Sequence, residues 1–238
     1  MEQSELNQIL DQHKLFLDGK GGKCANLRNA DLRGANLTSA DLTSADLTGA
    51  DLTGAKLSGA NLEDAYLAGA SFYRADLAGA NLTGADLKGA DLWHASLLSA
   101  NLTVANLSGA NLTGADLSRA DLEDANLRDA NLIGAYLEGA YLTYANLTGA
   151  NLSYVNLTNA ILPDIAWIKA GCLVQLNKVK YGFYLTKESK WENFTQDSFG
   201  FIIQNNGEEK SFDMLIEDRI IRNIPDWVKY SGLNKLDP

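Results

Sequence analysis

An alanine recurs at every fifth residue from Ala25 to Ala160, broken only by Val155, and a leucine follows two places later from Leu27 to Leu162, broken only by Phe72. Five matches neither the 3.6-residue period of a helix nor the two-residue period of a strand, so each unit must contain a bend that returns the same side chains to the interior. If Ala and Leu both point inward, four bends close a square coil of 20 residues, and the 28 units make seven coils. Coils paired as in a parallel sheet rise about 4.8 Å each, which predicts a rod of about 34 Å. Burying one Leu is worth roughly 1.5–3 kcal/mol before entropy is subtracted. A column of 27 leucines and one Phe is therefore a sufficient core, with stability spread along the rod and no coil stable alone.

The outward positions carry turn chemistry. Asp or Asn dominates before the Leu and Thr or Ser after it, while Gly closes 13 of the 28 units, as suits a turn with a positive φ. Arg74, His94, Val104, Tyr144 and Tyr154 take the Gly place. A positive φ is costly there, so another turn type is expected at those corners.

The Ala-(Asp/Asn)-Leu-x-x pattern of residues 25–164 resembles the pentapeptide repeat family. The resemblance implies an all-β chain built as a right-handed quadrilateral parallel β-helix. It also implies a family abundant in cyanobacteria, whose members mostly have no known enzymatic activity. It implies no particular partner.

A solenoid needs covered ends, because open edges pair with other molecules. Residues 1–24 are read as an α-helical N-terminal cap, with Leu6, Ile9, Leu10, His13, Phe16 and Leu17 on one face, Ser4 as N-cap and Gly19, Gly21 and Gly22 as the stop. His13 is read as a packed or partly exposed histidine. Residues 165–238 lose the period and gain aromatics, Lys and β-branched residues, which predicts a small antiparallel β-rich module. One hairpin turns near Asn177 and Lys178 and a second at Asn206-Gly207; another short strand follows, with a turn of helix around Asp226 to Tyr230. This module serves either as a C-terminal cap or as a homodimerisation or partner-binding unit.

Charge and composition exclude several functions. Residues 25–164 hold 16 Asp and Glu against 7 Lys and Arg, which argues against direct nucleic-acid binding, since that rests on a basic footprint. No apolar run is long enough to span a membrane, and the start MEQSELNQILDQHK is too acidic and polar for a signal peptide, so a cytoplasmic location is expected. Cys24 and Cys172 flank the repeats, too far apart on a rod to be bridged. With only His13 and His94 as histidines, and with no metal-binding Cys spacing, phosphate-binding loop or nucleophile elbow, neither an enzyme nor a cofactor or metal is expected. A Thr column at 43, 83, 103 and 143 is interrupted by Glu63 and Glu123, so it is not the unbroken array an ice-binding face requires.

Two outward features remain as candidate sites. Residues 20 apart share a ladder, which places Tyr73 under Trp93, Arg74 under His94, and Leu98 on the next face. Aromatics and Arg dominate binding hot spots. This patch either meets a protein partner or lies under the C-terminal module folded back upon it. The second feature is an acidic face made of Asp41, Glu63, Asp64, Asp121, Glu123 and Asp124. Family members that confer quinolone resistance are thought to resemble DNA and to bind type II topoisomerases, which makes such binding the alternative function. The fit is crude, since coils rise about 4.8 Å against roughly 3.4 Å between phosphates, and Asn81 and Asn101 leave the middle of the face neutral. Ile133, Tyr136, Tyr141, Tyr144 and Tyr154 cluster toward the tail and are expected to pack against it.

Overall fold

The computed structural model describes residues 1–161 and, beyond them, the backbone of six short strands between residues 173 and 225. Within the repeats every bridge is parallel and joins residues 20 apart, from Asn26↔Asp46 to Tyr141↔Ile161. Four five-residue units therefore make one coil, and the chain is a parallel β-solenoid.

Each unit shows why its residue types are needed. The Asp or Asn side chain accepts the backbone N–H two residues on, as in Thr48 to Asp46 at 3.1 Å and Thr103 to Asn101 at 3.0 Å. This is an Asx turn, which few other side chains can make. The Thr hydroxyl donates to the same oxygen at 2.7 Å in Thr48 and 2.6 Å in Thr103. The alanine opening the next unit then donates to the leucine carbonyl three residues back, as in Ala90 to Leu87 at 3.0 Å. From Leu42 to Leu157 the inward Leu and Ala places are enclosed, with Phe72 filling one leucine place at 0% exposure, while Ala30, Ala35 and Ala40 in the first coil are half-buried.

The corners correct the sequence reading. Every corner residue from Asn29 to Asn159 has positive φ, including Arg74 (55°), His94 (54°), Val104 (53°), Tyr144 (60°) and Tyr154 (61°). No second turn type is used among the described corners. The ladder supplies the reason, because each corner N–H from Asn29 to Gly139 donates to the coil above it: Arg74 to Trp93 O at 3.0 Å, His94 to Thr113 O at 3.0 Å, Val104 to Glu123 O at 2.9 Å. Abandoning the left-handed corner would strand that donor and shift the inward pair. The local penalty, about 1–2 kcal/mol for a non-glycine residue, is the smaller cost.

The N-terminal helix α1 spans Gln3–Leu17. Its N-cap is Glu2, with no side-chain cap bond, so Ser4 lies inside the helix rather than at its start. Gln3 is occupied elsewhere. Its side-chain amide accepts from Asn36 N at 3.1 Å and donates to Asn36 O at 3.2 Å, replacing the peptide group that a further coil would offer. The helix ends in a Schellman motif, with Lys20 N to Leu15 O at 2.9 Å, Gly19 N to Phe16 O at 3.0 Å and Gly19 at φ 66°. Leu6 is buried in the end of the core, Ile9 and Leu10 pack beside it, and Phe16 remains exposed.

Beyond the repeats, β4 (Gly200–Asn205), β5 (Ser211–Ile216) and β6 (Arg219–Pro225) form an antiparallel meander. The first hairpin is different: β1 (Leu173–Val174) pairs with β4, while β2 (Tyr184–Thr186) pairs with β3 (Ser189–Lys190). Alternation marks strands but does not choose partners. The turns expected near Asn177 and at Asn206-Gly207, the helical turn at 226–230 and Cys172 lie outside the described residues.

Candidate functional site

The two coils that depart from the repeat meet at one place. Ser71 bridges Asp91, which fixes Tyr73 and Trp93 one coil apart on the same face. Their ring centroids are 5.3 Å apart at 44°, and the Trp93 and His94 rings are 5.4 Å apart at 27°. The Arg74 guanidinium carbon stands 5.0 Å from the Tyr73 centroid. Arg74, Tyr73, Trp93 and His94 therefore form one continuous stack. Leu98, equally exposed at 42%, sits on the next face of the coil, beyond the His94 corner.

The backbone beneath the stack is firmly held. Asp91 accepts the Trp93 N–H at 3.2 Å and the Asn111 side-chain amide at 2.9 Å. His94 Nδ1 lies 3.3 Å from Gly114 O. The ring lies across the corner above it, where a Cβ on Gly114 would stand 2.5 Å from two ring atoms. Gly114 is thus part of the site, and nothing in its own repeat distinguishes it from the other corner glycines.

Charge on this face is unevenly committed. Arg33, in the same outward column as Tyr73 and Trp93, bonds Asp31 at 2.6 Å and holds its carboxyl well below the usual range, with Asp51 at 3.7 Å. Arg74 has no ion-pair partner among the described residues. Its charge rests on an aromatic ring instead, where exposed cation–π contacts are worth about 0.5–1 kcal/mol.

The acidic residues do share one face, but in two groups. Asp41, Glu63 and Asp64 lie in adjacent coils, and Asp121, Glu123 and Asp124 lie three coils beyond Glu63. Asn61 donates to Asp41 at 3.3 Å, and Asn81 donates to Asn61 at 2.9 Å and to Glu63 at 3.3 Å. The first group is therefore tied into a neutral amide ladder. Three coil steps come to about 14 Å, longer than the screening length of about 10 Å at 0.1 M salt, so the groups act as separate charges. Tyr136, Tyr141, Tyr144 and Tyr154 are exposed, and Ile133 is half-buried; any contact they make with the tail lies outside the described residues. Among the described residues no cluster of three His, Cys, Asp or Glu could hold a metal ion, and no helix is long and apolar enough to cross a membrane.

Among solved structures the chain is similar to HetL, a pentapeptide repeat protein involved in heterocyst differentiation regulation in the cyanobacterium Nostoc. That match has 42% identity, covers 60% of this chain and 74% of HetL, and has a TM-score of 0.42. A thylakoid-lumen pentapeptide repeat protein of Arabidopsis thaliana is 35% identical over 52% of this chain and 80% of its own, with a TM-score of 0.35. Trypsin-treated QnrB1, a plasmid-mediated fluoroquinolone resistance protein, is 24% identical over 56% of this chain and 76% of its own, with a TM-score of 0.48. No curated protein matches the chain. The profile described as pentapeptide repeats matches residues 23–59, 55–93, 85–124 and 125–163, in 8 copies. These matches cover more than half of the sequence and the whole tract in which Ala and Leu fill the core, and so the chain belongs to the pentapeptide repeat family.

Proposed function

We propose that this chain is a non-catalytic cytoplasmic scaffold, a rod of seven coils that presents a preorganised surface to a protein partner through Arg74, Tyr73, Trp93 and His94, with Leu98 at the rim. The observation that carries this reading is the continuous stack itself: four large outward side chains in contact across two successive coils, with Trp93 42% exposed. A side chain already held by its neighbours loses little rotamer entropy on docking, where a free one loses about 0.5–1.5 kcal/mol. The unpaired Arg74 at the edge of the stack suits a partner that brings a carboxylate.

Topoisomerase binding through DNA mimicry draws less support from this chain, because its acidic face is two separate groups with a neutral middle. The test is an affinity capture from the source lysate, comparing wild type with Trp93→Ala and with the Tyr73→Ala/Trp93→Ala pair. Each variant is first shown to melt as wild type does. A partner retained by wild type and lost by both variants supports the stack as the contact. Undiminished capture by a folded Trp93→Ala protein refutes it.

A further inference from the structure

The first coil has no coil beneath it, and α1 takes that place. Gln3 pairs with both backbone groups of Asn36, Leu6 closes the core, and the Ala25 N–H is satisfied by a side chain, donating to His13 Nδ1 at 3.1 Å. His13 is completely buried. Because Nδ1 accepts a hydrogen bond, the single ring proton sits on Nε2, which is enclosed and makes no hydrogen bond.

We propose that His13 makes α1 an acid-released plug: a second proton on the imidazole puts two donors face to face at Nδ1 and Ala25 N, and the helix leaves the edge of the first coil. The proton comes from solvent and no covalent bond changes. What is exposed is the strand edge at Asn36 and the socket of Leu6, an unpaired edge of the kind that recruits further strands.

The surroundings of the ring set the direction. Burial pushes His13 below the ordinary imidazole value, while the Asp41 carboxylate on the fourth face of the first coil and the Thr43 backbone favour the charged form without overcoming it. On the helix, Asp11 and Lys14 are exposed, and Phe16 stacks on the ring at 6.1 Å. Cys24, beside Ala25, stays a thiol, since burial and the charge of Asp46 both push it up. With the docked value below the released one, the released state binds the extra proton. The plug is fully held above the released value of about 6.5 and loosens as pH falls below it, by up to about tenfold per pH unit until the docked value is reached.

The test is amide hydrogen exchange on the full chain at pH 7.5 and pH 5.0, corrected for the intrinsic pH dependence of exchange. Wild type should lose protection at Ala25 and Asn36, by a factor of at most about thirty, while Asp86, whose N–H bonds Ala65 O at 3.0 Å in the middle of the rod, keeps its protection. His13→Gln offers Ala25 an acceptor with nothing to titrate and should show no such loss. Asp41→Asn removes a charge that favours the imidazolium in the docked state, so it lowers the docked value, leaves the onset of the loss where it is in wild type, and should let the loss continue to lower pH before it levels off. Unchanged wild-type protection overturns the proposal, as does an equal loss in His13→Gln. If His13→Gln is unprotected even at pH 7.5, the decision falls to Asp41→Asn followed to lower pH, and a loss that levels off where that of wild type does overturns the proposal.

Discussion

Gly114→Ala and Gly109→Ala are nearly the same perturbation, and the difference between them measures one side chain. Both glycines are corner residues on adjacent faces, with φ of 63° and 66°, but an added Cβ meets nothing within 4 Å at Gly109 and would stand 2.5 Å from the His94 ring at Gly114. The shared cost is the left-handed penalty of about 1–2 kcal/mol for Ala, less about 0.4–1 kcal/mol recovered because the unfolded chain is stiffer. Gly109→Ala should therefore destabilise by about 0.5–1 kcal/mol. Gly114→Ala must also displace His94, losing its contact with Gly114 O and its packing on Trp93. A hydrogen bond and an aromatic pair are each worth about 0.5–1.5 kcal/mol. The exposure of His94 places the added loss near 1 kcal/mol, at the low end of their sum. The assay is urea unfolding of both variants in wild-type and His94→Ala backgrounds. In wild type Gly114→Ala should cost more, and in His94→Ala the two costs should converge. Equal costs in wild type, or an excess that survives removal of His94, refute the placement of the ring over the corner.

Two other substitutions test the rod itself. Val104 is a β-branched residue at φ 53° and is 53% exposed; Val104→Asn removes about 1–2 kcal/mol of left-handed strain for a modest loss of contact, and should raise the melting temperature. A lower melting temperature would mean that the strain is not where the corner geometry puts it. Leu87→Ala at a fully buried mid-rod position should cost about 3–5 kcal/mol in urea unfolding. A loss below about 1 kcal/mol would show that the column does not act as a continuous core.

The inward half of each unit could be read from sequence because it has a single job. Ala45 and Leu47 are enclosed for the same reason as every later pair, and the 20-residue ladder that places Tyr73 under Trp93 follows from counting units. The corners were misjudged at Arg74 and His94 because a local φ cost is visible in one residue, whereas the Trp93 and Thr113 carbonyls that hold those corners belong to the next coil. The displaced N-cap has the same origin. Ser4 satisfies the local rule, but Gln3 has a partner in Asn36, 33 residues away. Gly114 could not have been identified at all, since its importance comes from the ring of a residue 20 earlier.

In a solenoid whose register is set by inward residues, outward positions are free of the fold, and a costly choice there calls for a reason outside it. Thirteen described corners use glycine and avoid left-handed strain, and eight of the other fourteen use Asn, Asp or Ser, yet Arg74 and His94 place large side chains there in two successive coils. In the same two units Tyr73 and Trp93 replace the usual Thr or Ser, and Ser71 gives up an Asx turn. Phe72 stays inside, so the core does not demand these changes. Strain held at these two corners is about 1–2 kcal/mol each, which the cation–π and aromatic contacts of the stack offset by a comparable amount. The result is a surface that differs from the rest of the rod at no gain to the core. The proposed contact at Arg74, Tyr73, Trp93 and His94 rests on that difference, whereas the Asp and Asn positions of the more numerous carboxylates are already explained by turn chemistry.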